Sequence, residues 1–92
     1  MPRYFFHNED GRCYPDATGV ELPDMAAVRH TALQVLTEMM DLHEKDVWDT
    51  GAWRVTVADE AGLTLYVVDL AITGSAAVST DRSSIGSGEA LT

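Results

Sequence analysis

Hydrophobic positions along this chain change period three times, and each change marks a predicted element. Residues 3 to 8, Arg-Tyr-Phe-Phe-His-Asn, crowd three aromatics into six positions with strand propensity and no helical spacing. Glu9-Asp10-Gly11 follows as an Asp-Gly turn, a strong hairpin signal, and Arg12-Cys13-Tyr14 starts a returning strand. Pro15 and Gly19 keep that strand short and place it at a sheet edge. From residue 25 the period becomes helical. Met25, Val28, Ala32, Val35, Met39 and Leu42 recur at spacings of three and four, and Leu33, Leu36 and Met40 widen the stripe, while Arg29, Gln34, Glu38, Asp41 and Lys45 fall on the opposite face. Asp24 precedes the run as N-cap, and the helix is expected to end near Lys45 or Asp46.

Beyond a loop expected around Trp48-Asp49-Thr50-Gly51, the period drops to two. Trp53, Val55 and Val57 alternate with Arg54 and Thr56, so the three apolar residues face the core. Asp59-Glu60-Ala61-Gly62 turns the chain, and Leu63 to Val68 returns. The order ββαββ defines an α+β fold in which a four-stranded antiparallel sheet, spatial order 2-1-3-4, carries one amphipathic helix on one face. Residues 1–72 form this single domain. Residues 73–92 are read as a flexible tail, because 14 of these 20 are Gly, Ser, Ala or Thr and no periodicity runs through them.

Two segments, Tyr4-Phe5-Phe6 and Leu65-Tyr66-Val67-Val68, are apolar on both alternations, whereas a sheet with one wet face alternates cleanly. That excess predicts an interaction surface on the open sheet face or an edge strand, and a homodimer or another protein as partner. The contact residues expected are Tyr4, Phe6, Arg54, Tyr66 and Val68, with the alternation of the first strand that faces the helix left open.

Charge narrows the partner classes. Fifteen acidic residues against six basic ones give a formal net charge of −9, and the five cations before position 73 are scattered among 13 acids. Such a field repels phosphate backbones and anionic lipid, which disfavours nucleic acid. No 18 apolar residues run together, no signal-peptide pattern opens the chain, and the single Cys13 can form no intrachain disulfide, so a cytoplasmic protein without membrane contact is expected.

Candidate chemistry adds little to this. His7, Glu9 and Asp10, with Asp16 across the hairpin, form the one polar cluster that could hold a divalent cation, although a solvated turn needs no metal to explain it. His30 and His43 lie 13 residues apart, roughly 20 Å along a helix, and cannot share an ion. Cys13 has no histidine at motif spacing, Asp59-Glu60 sits in a turn exposed to water, and no glycine-rich phosphate loop occurs. No catalytic set and no cofactor are read. The function expected is a non-enzymatic interaction or self-associating module; the alternative is a small-molecule or metal-binding regulatory domain with a pocket lined by Met25, Met39 and Met40.

Residues 1 to 72 also resemble a bacterial family of small domains of unknown function. Its members open with Met-Pro-Arg-Tyr-Phe-Phe and pass through an Asp-Gly turn, an Asp-x-x-Gly step and a Glu-Leu-Pro-Asp helix entry. The matching positions are Met1 to Phe6, Asp10-Gly11, Asp16 with Gly19, and Glu21 to Asp24. The resemblance implies a shared small fold and no activity, cofactor or catalytic residue.

Overall fold

The computed structural model describes residues 1–75 and 77. Seven elements follow in order: β1 (Arg3–Glu9), β2 (Cys13–Tyr14), β3 (Val20–Glu21), α1 (Met25–Leu42), α2 (Glu44–Thr50), β4 (Ala52–Ala58) and β5 (Thr64–Ala71). The fold is α+β. Four of the five strands take the expected order, β2-β1-β4-β5, with every pairing antiparallel.

Two features depart from ββαββ. Val20 and Glu21 form an extra short strand against Tyr4 and Arg3, so the segment from Cys13 to Glu21 runs back along β1 in two pieces. Between them Asp16 substitutes a side chain for the ladder: its carboxylate accepts from the Phe6 N–H of β1 and from the N–H groups of Thr18 and Gly19. The second departure is α2, where a loop was expected. His43 breaks the first helix, with φ −122° and ψ 37°, and Glu44 to Thr50 resume helical geometry. Val47 is buried against β4, and Gly51, at φ 75°, ends the helix by donating to the Val47 carbonyl. A single buried residue in seven leaves no period for sequence reading to detect.

The start of α1 follows expectation. Asp24 is extended and accepts from the Ala27 N–H at 2.8 Å. Val28, Ala32 and Leu36 are buried, with Met25, Val35, Met39 and Met40 packed at their margins. Leu33 and Leu42, both assigned to apolar stripes, are instead exposed. The sheet contributes Trp53, Val55 and Val57 to the core as expected, joined by Tyr4 and Phe6. The register shifts between Val57 and Ala58, so Val57 pairs Tyr66 while Ala58 pairs Thr64. The expected tail, 73–92, lies outside the described residues except for 73–75 and 77.

Candidate functional site

The cross-strand register decides which residues share a face. Phe6 lies opposite Val57, and Val57 opposite Tyr66; Val55 lies opposite Val68. Since Val55 and Val57 pack on the helix, Tyr4, Phe6, Tyr66 and Val68 belong to the covered face too. Tyr4 and Phe6 are only 7% and 5% exposed. Four of the five expected contact residues therefore do not line the open face, and Arg54 alone does. Of the doubly apolar strands, Tyr4, Phe6, Tyr66 and Val68 pack toward the helix, while Phe5 and Val67 fall on the open alternation.

The open face is mixed rather than apolar. Arg54 donates to Asp69 at 2.7 Å and lies 3.8 Å from Glu9, an ion-pair row crossing three strands. Arg3 faces Glu21 at 3.7 Å, and Phe5 stacks on His7 with centroids 6.4 Å apart. A charged row of this kind is solvated and contributes little to stability.

The proposed metal ligands do not converge. His7 Nδ1 accepts the Asp16 N–H at 2.9 Å, the Asp16 carboxylate is occupied by three backbone donors, Glu9 faces Arg54, and Asp10 accepts from the Arg12 N–H. Among the described residues no three His, Cys, Asp or Glu side chains stand together as a metal site. Partial burial works against the Asp16 charge, but hydrogen bonds from Gly19, Phe6 and Thr18 outweigh it and hold the carboxyl below its usual value, with His7 adding to the effect. The Asp-x-x-Gly step is thus a structural clamp. Gly19 closes it at φ 69°, where an added Cβ would stand 2.8 Å from the Tyr4 carbonyl oxygen.

Two surfaces of different character lie one at each side of the sheet, and Met25 lines a third, of about 400 Å³, with Arg3, Asp59 and Leu65. Beside β1, Tyr14, His43 and Trp53 bring three rings together: Tyr14 and His43 each stack on Trp53, with centroids 6.4 and 5.6 Å away. Trp53 donates its indole N–H to Asn8 Oδ1 at 3.0 Å. With Met39, Asp10 and Asp46 these residues line a cleft of about 250 Å³. Sequence reading missed this cleft because its members come from β1, the turn after it, β2, both helices and β4, with no common spacing; Trp53 registers there only as core, and Met39 only with Met25 and Met40 as lining of an expected pocket.

At the other side, β5 is an edge strand of eight residues, and no strand pairs its outer side among the described residues. Val67 is 50% exposed on it. Next to β5, Met40, Val47, Trp48, Leu70 and Ile72, together with Thr37, Asp41 and Glu44, line a shallow groove of about 380 Å³, with Trp48 62% exposed. Arg29, one helical turn before the exposed Leu33, reaches the Tyr66 hydroxyl at 3.2 Å, which places this flank of α1 along β5.

A small α+β domain with one blunted sheet edge and, among the described residues, one long unpaired edge is the class this geometry defines. The chain belongs to the family described as Domain of unknown function (DUF6894), which matches residues 3–71, β1 through β5. No curated protein and no solved structure matches it significantly. Among the described residues no helix is long and apolar enough to cross a membrane.

Proposed function

We propose that this protein is a non-enzymatic interaction module that self-associates through β5, a second copy extending the sheet antiparallel across a two-fold axis. The observation that carries this reading is the contrast between the two edges. On the β1 side, two-residue strands and the Asp16 side chain occupy the backbone groups. Such short, interrupted edges resist pairing. On the other side, Thr64 to Ala71 presents eight residues without proline and with one charge, Asp69. A long apolar edge is the feature that β-augmentation uses.

An antiparallel strand pair is self-complementary, as a two-fold dimer requires. Pairing centred on Val67 or on Val68 sets Asp69 opposite the second copy's Leu65 or Val67, so the two carboxylates do not meet. Both helices then lie on one face of the joined sheet, and the flank carrying Leu33, Met40 and Trp48 borders the interface.

Sedimentation equilibrium of the full chain tests this. A dimer at micromolar concentration is expected, and V67K, which changes an exposed side chain of the edge, should sediment as a monomer with an unchanged circular dichroism spectrum. A wild-type monomer throughout, or a V67K dimer as tight as wild type, refutes the β5 interface.

A further inference from the structure

The cleft beside β1 is independent of β5 and has a chemistry of its own. Its floor is aromatic: Trp53 is 3% exposed, between Tyr14 on the edge strand and His43 at the junction of the helices. Its carboxylates are Asp10 and Asp46, beside the polar Asn8 and His43. Asp46 Oδ2 lies 3.8 Å from His43 Nδ1, and Asp10 accepts a backbone N–H from Arg12 through Oδ1. No lysine or arginine lines the cleft; Arg54, the cation on the same strand as Trp53, points to the other face and pairs with Asp69 and Glu9. Asn8 is already engaged by the Trp53 indole, which fixes the ring.

We propose that this cleft receives the guanidinium group of an arginine side chain carried by a partner protein. Three properties select that occupant. Aromatic rings offer a negative face and carboxylates a negative edge, so the complementary group is a cation. The planar guanidinium meets both demands, stacking on a ring while its fork donates to a carboxylate, whereas an ammonium supplies only a point charge. The cavity, about 250 Å³, is smaller than the roughly 300 to 1,000 Å³ that encloses a drug-sized ligand, and it suits one side chain. The −9 charge of the whole chain draws such a partner in.

The test is a titration of the full chain with butylguanidinium, read on the indole N–H signal of Trp53 in nitrogen-15 spectra. Saturable shifts at millimolar concentration are expected, with butylammonium weaker by several-fold and neutral butylurea without a saturable effect. A blocked Gly-Arg-Gly peptide should bind at least as tightly as butylguanidinium. D46N and D10N should each weaken binding by about fivefold, equivalent to roughly 1 kcal/mol, and Y14A should abolish it; V67K should bind as wild type does. Absence of saturation, equal binding of butylurea or butylammonium, exclusion of the peptide, or wild-type affinity in both Asp variants overturns the proposal. If the variants do not fold, added sodium chloride decides on the wild-type chain: a salt-insensitive affinity overturns it as well.

Discussion

Among the described residues, no other side chain accepts as many backbone hydrogen bonds as Asp16. Oδ2 accepts from Phe6, while Oδ1 accepts from Thr18 and Gly19, so one carboxylate joins β1 to the segment that leads into β3. Replacement by Asn puts an amide N–H₂ opposite one set of backbone donors, and D16N is expected to lose about 1 to 3 kcal/mol in urea unfolding. The loss depends on pH with a definite sign. The folded-state pKa of Asp16 lies below its unfolded value, so its contribution is complete above the unfolded pKa, near 3.8, and disappears as pH falls through the lower folded value. The stability gap between wild type and D16N should therefore be constant at neutral pH and narrow below about pH 4; a gap unchanged at pH 2 would show that the charge is not what matters. G19A belongs to the same clamp. The Cβ meets a backbone carbonyl and the φ of 69° disfavours any L side chain, so a loss of about 2 kcal/mol is expected. In the sequence the Asp-x-x-Gly step marks only the family resemblance, and Asp16 enters as a candidate ligand through its neighbours His7, Glu9 and Asp10, because sequence does not reveal that backbone donors already saturate the carboxylate.

At the scale of elements, legibility followed period. The long helix from Met25, its Asp24 cap and the hairpin of β4 and β5 were readable because burial repeats along each of them. The face of β1 was not, since Tyr4, Phe5 and Phe6 are apolar on both alternations and only pairing with Val57 fixes which ring points inward. The short helix α2 was invisible for the opposite reason: Val47 is its one buried residue, and what holds it is the turn at His43, the Gly51 cap and an exposed Lys45–Asp49 pair at 2.8 Å. V47A should therefore act on α2 before the rest of the fold. It is expected to cost about 2 kcal/mol in global stability, and amide exchange over residues 44–50 should accelerate more than over β4. Uniform acceleration would mean that α2 does not open by itself. Because α2 supplies Asp46 to the cleft and Trp48 to the groove, its seating governs both candidate surfaces.

For the whole molecule, the two surfaces respond to the net charge in opposite ways. Joining two copies that each carry −9 brings like charges together, and only the short-range gain from backbone pairing and the apolar flank opposes that repulsion. Salt shortens the Debye length from about 20 Å at 20 mM to about 6 Å at 300 mM and so removes most of the long-range penalty. Dimerisation through β5 should accordingly tighten with salt, by roughly tenfold over this range, as read from sedimentation equilibrium. Guanidinium binding in the Tyr14–Trp53 cleft rests on attraction to the same negative field, and the same salt should weaken it. If both weaken, charge attraction holds the dimer and the apolar edge does not. If dimerisation alone strengthens while the cleft is indifferent, charge does not hold the occupant and the guanidinium reading of the cleft is overturned. Opposite slopes on one protein follow only when one surface buries a strand edge against the net charge and the other exploits that charge to capture a cation.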